Sequence, residues 1–196
     1  MPLSPAAPRE HIHHRAIQCY GYHRDDGLWD IEGHLVDTKT YTFSNRERGE
    51  IKPGEPVHEM WLRLTVDDEL IVHDIEAATD ASPFSICGDI AERFKQLQGV
   101  QIGRGWRRKV NQVLGGVNGC THLVELLGPV ATTAFQTIYP IKSRRKDAHP
   151  SGKKPPMLDS CHALATDGEI VKLHWPRFYT GPKKSLPPSR LSKGRE

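Results

Sequence analysis

Residues 57–77 read V-H-E-M-W-L-R-L-T-V-D-D-E-L-I-V-H-D-I-E-A. Met60, Leu62, Leu64 and Val66 alternate with Trp61, Arg63 and Thr65, the period-2 pattern of a strand with one face on a core. D-D-E at 67–69 supplies turn formers and residues 70–77 resume as a strand, so the stretch is a β-hairpin. Upstream, residues 15–22 form a first strand and D-D-G at 25–27 a turn. Residues 28–43 then give a long second strand bent at Gly33. Residues 44–56 are polar, end in P-G-E-P and form a loop.

Downstream the period changes. Ser82-Pro83 stops the strand pattern, and residues 86–99 place Ile86, Ile90, Phe94 and Leu97 on one side of a helix, with Gly99 as its stop. A second short helix covers residues 106–114. A third begins near Cys120 and runs toward Ile138, with Pro129 kinking or dividing it. Strands first and helices second predict an α+β fold, an antiparallel sheet with helices packed on one face. Residues 142–156 are basic and proline-rich and form a loop or lid, and residues 157–175 give a short turn or helix and a last strand around D-G.

The chain has 196 residues, enough for one well-filled core and too few for two domains of ordinary size. We expect a flexible arm at 1–14, a single domain at 15–179 and a disordered basic, proline-rich tail at 180–196. With 27 Lys+Arg against 24 Asp+Glu the polyanion signal is weak, and no nucleic-acid motif accompanies the basic runs at 107–109 and 143–146, so nucleic acid is not an expected partner. There is no apolar run of membrane-spanning length and no export signal at the N-terminus. A cytoplasmic protein without a membrane partner is expected. In a reducing compartment the four cysteines, Cys19, Cys87, Cys120 and Cys161, serve as metal ligands or reactive groups rather than bridges, except Cys19, which packs within its strand.

Chemistry concentrates at residues 115–127, G-G-V-N-G-C-T-H-L-V-E-L-L, where a glycine-rich turn runs into Cys120 and His122 at the head of a helix. A cysteine there faces unpaired backbone N–H groups and the positive end of the helix dipole, a setting that suits metal ligands and nucleophiles. Asp37 and Lys39 share one face of a strand and read as a solvated ion pair.

The hairpin, C-G-D after a short loop, a helix ending in glycine and a later helix opening with cysteine together resemble the iron-sulfur scaffold proteins of the NifU/IscU type, over residues 57–136. The resemblance implies that helix heads and hairpin entry converge on a cluster or zinc, with extra N-terminal strands here. Cys87 matches the family's middle cysteine, Cys120 its last, and His58 stands in place of an aspartate ligand. Pro56 stands where the first cysteine would be and Gly119 where a histidine would be. D-G-L-W-D-I-E-G, D-T-K, V-H-E-M, G-C-T-H-L and D-S-C-H-A-L are similar to a bacterial domain of unknown function, family 2889 of that naming scheme, which implies no agreed activity.

The expected site follows from these likenesses and the C-T-H spacing. Cys87, Cys120 and His122, with His58 or Cys161, hold zinc or iron, a soft sulfur and imidazole set ordinary for either metal. Asp89 and His162 are the expected proton carriers. The leading expectation is a metal-dependent lyase or hydrolase acting on a small molecule, with homo-oligomerisation left open. Its rivals are an iron-sulfur cluster carrier that meets a cysteine desulfurase or acceptor protein, and a cofactor-free binding module.

Overall fold

Alternating apolar residues become the strands of one sheet in the computed structural model, which describes residues 3–144 and 152–181. The elements are β1 (His13–His23), β2 (Trp29–Lys39), β3 (Phe43–Asn45), β4 (Gly49–Ile51), β5 (Pro56–Val66), β6 (Val72–Ala81), α1 (Trp106–Leu114), α2 (Thr121–Arg144) and α3 (Glu169–His174). The main sheet has the order β1-β2-β5-β6 with every neighbouring pair antiparallel, and β3 and β4 form a small separate hairpin. The architecture is the expected α+β fold. The contacts divide the chain into two compact units, residues 1–145 and 146–196.

In the first unit, Ile31, Leu35, Met60, Leu62 and Leu64 project from one face of the sheet into a core shared with Phe94, Leu97, Leu114, Leu123, Leu126 and Val130. Helix α2 lies close on the sheet because β1 and β2 present glycines to it. A Cβ on Gly21 would sit 2.1 Å from Thr137 Oγ1, and one on Gly33 2.6 Å from Val130 Cγ2. Cys19 packs partly buried against this core, and burial pushes its thiol up. The opposite face carries the exposed Tyr20, Tyr22 and Trp61, with His34 stacked on Trp61 and Arg63 paired to Glu32 and Glu76.

Several boundaries differ from the sequence expectation, each for a local reason. Strand β1 starts at His13, inside the expected arm, because His13 is paired with Lys39 of β2. The loop at 44–56 contains the β3–β4 hairpin, with its turn closed by Asn45, whose side chain accepts from the N–H groups of Glu47 and Arg48. Residues Ser85–Leu97 run as 3-10 turns rather than an α-helix, so the winding is tighter. Phe94 and Leu97 are buried and Ile90 packs against the core, but Ile86 is 71% exposed. Gly99 ends the segment at φ 77°, as expected of a helix stop. Helix α2 continues through Pro129 and Pro140 to Arg144. An interior proline costs about 3 kcal/mol. Burying Leu123, Leu126, Leu127, Val130 and Ile138 along the same helix outweighs that, at about 1.5–3 kcal/mol per large apolar side chain.

In the second unit, residues 152–181 contain two short 3-10 turns, His162–Leu164 and Pro176–Phe178, and helix α3. The last strand expected around D-G is absent from the described residues there: Gly168 is the N-cap of α3. Leu158, Val171 and Thr166 are buried, and Asp159 accepts from the Thr166 N–H at 2.8 Å and its hydroxyl at 3.0 Å. Among the described residues no helix is long and apolar enough to cross a membrane.

Candidate metal centre

Strand register builds the site. Arg15 on β1 stands opposite Asp37 on β2, and Asp37 stands opposite His58 on β5, so the three side chains form a row across one face of the sheet. A register shift between Asp37 and Thr38 marks a bulge at the end of that row, the kind of irregularity that re-aims side chains next to functional sites. From above, the first turn of α2 contributes His122, and Glu125 three residues on lies on the same helix face.

Asp37 is the hub. Its side chain is only 1% exposed, and Arg15 grips it with two bonds, Nε to Oδ1 at 2.8 Å and Nη2 to Oδ2 at 2.7 Å. His13 Nε2 lies 3.1 Å from Oδ1, His58 Nδ1 3.2 Å from Oδ2 and His122 Nε2 3.7 Å from Oδ2. The His58 and His122 rings stack with centroids 3.8 Å apart and planes inclined by 28°. Arg15 also pairs with Glu125, which ties α2 to the edge strand.

These neighbours set the charge states. Burial pushes the Asp37 carboxyl up, but the Arg15 bonds and charge, together with His58 and His13, hold it below the usual carboxylate range. His58 is pushed below the ordinary histidine value by burial and by the His122 charge, against the pull of Asp37. His122 is pushed down by burial and by Arg15, against Asp37 and Glu125. The arrangement therefore favours an anionic carboxylate beside two neutral imidazoles, the states that bind metal. Asp37, His58 and His122 each offer one ligand atom within 4.8 Å of the others.

His58 and His122, expected as ligands, thus come together, but around Asp37. The solvated Asp37–Lys39 pair is corrected: Asp37 is buried and its cation is Arg15, while the Lys39 ammonium lies 6.0 Å from the Tyr41 ring centroid. Cys120 is the residue before α2, with Sγ 3.8 Å from His122 Nδ1. Cys87 and Cys120 line one recess together with His58 and His122. Asp89 is exposed and does not line that recess. Cys161 and His162 belong to the second unit, where both are exposed beside Asp159, Ala165 and Thr166.

Arg15, His13, Asp37 and Glu125 were not among the expected site residues. A signal for the first pairing was present: folding a hairpin about Asp26 sets residue 15 against residue 37.

A family model described as "Protein of unknown function (DUF2889)" matches residues 13–136. The chain belongs to this family. The matched span begins at His13 and includes Arg15, Asp37, His58, Cys87, Cys120, His122 and Glu125, and it ends before the second unit. No curated protein and no solved structure matches the chain, and neither the likeness to iron-sulfur scaffolds nor a bacterial origin gains support from these comparisons.

Proposed function

We propose that the chain is a metal-dependent enzyme that acts on a small molecule, with a divalent zinc or iron ion held by Asp37, His58 and His122. The observation that carries it is the spacing of the donor atoms. Bonds of about 2.1 Å place neighbouring ligands about 3.0–3.4 Å apart, between right-angle and tetrahedral geometry. Asp37 Oδ2 lies 3.2 Å from His58 Nδ1 and 3.7 Å from His122 Nε2, and all three donor atoms lie within 4.8 Å of one another, so rotation of the rings is what would close the site. Two histidines and one carboxylate leave positions open for water or substrate, the arrangement used by hydrolytic zinc and non-haem iron sites.

When His122 binds through Nε2, its Nδ1 faces Cys120 Sγ at 3.8 Å, and Arg15 holds both oxygens of the Asp37 carboxylate, the ligand oxygen Oδ2 included. Both act as outer-shell partners that hold ligand orientation. The metal would polarise a carbonyl or activate water in a lyase or hydrolase step. We further propose a cytoplasmic setting, where cysteines act as ligands or reactive groups rather than as bridges.

A metal-free rival is favoured by one chain of distances. Cys120 Sγ to His122 Nδ1 is 3.8 Å and His122 Nε2 to Asp37 Oδ2 is 3.7 Å, the order of a nucleophile, its base and an orienting carboxylate. Elemental analysis of untagged protein separates the two. About one zinc or iron per chain, lost in His58→Ala and His122→Ala, supports the metal centre. A metal-free protein whose Cys120 alkylates rapidly, and slowly after His122→Ala, supports the nucleophile. Visible cluster absorption lost in Cys87→Ser would instead support the iron-sulfur carrier.

A further inference from the structure

The recess above His58 and His122 has a composition that specifies what enters it. Its walls are Met60, Pro83, Phe84, Ile86 and Ile90, and its polar groups are the two imidazoles, Cys87, Cys120 and Thr121. Among the described residues, no Lys, Arg, Asp or Glu lines it. A phosphate or carboxylate on the part of the molecule that lies against these walls would therefore meet no countercharge and would lose its hydration.

Phe84 is 54% exposed and Ile86 71% exposed at the rim, a cost in water that nothing in the core offsets. They are held there. Asn45 Nδ2 donates to the Pro83 carbonyl at 3.1 Å, the Ser85 N–H donates to Glu47 Oε2 at 2.6 Å, and Ser82 Oγ donates to the Phe84 carbonyl at 2.8 Å. The β3–β4 hairpin thus props residues 82–85 against the mouth of the recess. Large apolar side chains fixed at the rim of a pocket with a polar floor pre-form a binding site rather than collapse into the core. The recess measures about 380 Å³, at the small end of the roughly 300–1,000 Å³ usual for ligand pockets.

We propose that the substrate has an uncharged, apolar, ring-sized body clasped by Phe84, Ile86, Ile90 and Met60, and an oxygen-bearing head directed at His58 and His122. This conclusion rests on the metal centre proposed above for the head, and on the uncharged walls for the body.

The experiment compares two chelators that share one metal-binding group, benzohydroxamate and acetohydroxamate, on full-length protein loaded with cobalt(II), read by its absorption bands. Benzohydroxamate is expected to bind about tenfold more tightly, the scale at which apolar pockets discriminate. In the Phe84→Ala/Ile86→Ala protein the ratio should fall to near one, with cobalt content and acetohydroxamate affinity unchanged. A ratio near one in the unaltered protein, or a ratio that survives the double substitution, overturns the proposal. Cobalt content is measured separately, so a protein that takes no metal overturns the metal centre instead. The body is then tested on metal-free protein with benzamide against acetamide, following the methyl resonances of Ile86 and Ile90. Shifts with benzamide alone uphold the apolar clasp, and their absence overturns it.

Discussion

Asp37 lies directly across the β2–β5 ladder from His58, with its Oδ2 3.2 Å from the His58 Nδ1, and the carboxylate is shielded from solvent by the groups that bind it. A carboxylate in that position is poorly rehydrated when a partner is replaced by an apolar side chain of similar bulk, and this sets the first expectation. Arg15→Met leaves Asp37 buried without its bidentate cation and should destabilise the protein by roughly 3 kcal/mol, because breaking one side of a buried pair leaves the other charge uncompensated. Arg63→Met is the control. It removes two ion pairs on the open face of the sheet and should cost at most about 1 kcal/mol. Urea unfolding of both proteins at neutral pH measures the difference, and equal losses would contradict a special role for the Arg15–Asp37 pair.

Stability of the metal-free protein should fall as pH falls, in two windows. His58 and His122 have folded values below the ordinary 6.5, so the unfolded chain takes up protons first and stability is lost as pH drops below about 6.5. Asp37 has a folded value below the ordinary carboxylate range, so its contribution is present above about pH 4 and is lost as pH falls through the folded value. Denaturant midpoints at about pH 7.5, 5.5, 4 and 2.5 follow both steps. In a His58→Gln/His122→Gln protein the first step should be largely gone while the second remains.

Cysteine and carboxylate variants separate the ligand sets. With Asp37, His58 and His122 as ligands, Cys87→Ser and Cys120→Ser should keep about one metal per chain. Under the same conditions Asp37→Asn should lower affinity steeply, because it removes the one anionic ligand. Metal lost from the cysteine variants but retained in Asp37→Asn would move the site to the sulfur side of the recess.

Gly33→Ala tests whether the site depends on close seating of α2. The new Cβ would come within 2.6 Å of Val130 Cγ2, and overpacking of this kind typically costs about 1–3 kcal/mol. Since α2 carries His122 and Glu125, the same substitution should also weaken metal binding, although Gly33 touches no ligand. Calorimetric melting together with metal titration measures both effects, and a stability loss without any change in affinity would show that α2 adjusts without carrying His122 away.

The sheet was legible because its signals are local. Met60, Leu62, Leu64 and Val66 alternate, D-D-G and D-D-E turn, and β2 and β5 bury the residues that their period assigns to the inner face, whereas β6 buries Val72 and Ile75 beside a register shift at Thr65/Val66. The 3-10 winding at Ser85–Leu97 and the exposure of Ile86 were not legible, since apolar spacing alone does not fix how tightly a segment winds or which end reaches the core. Pro129 looked like a break in α2 because a proline cost is visible in sequence, whereas the packing that outweighs it is not.

By itself the sequence determined the antiparallel α+β architecture and the four strands of its main sheet, and it offered two of the three residues of the candidate metal centre, His122 and, as an alternative to Cys161, His58. Only the tertiary structure decided the third. Asp37 and Lys39 are indistinguishable from a surface ion pair along the chain, because burial is a property of what lies above and beside a strand. Register across three strands put Arg15 and His58 on either side of Asp37, and the seating of α2 over Gly21 and Gly33 brought His122 to cover it.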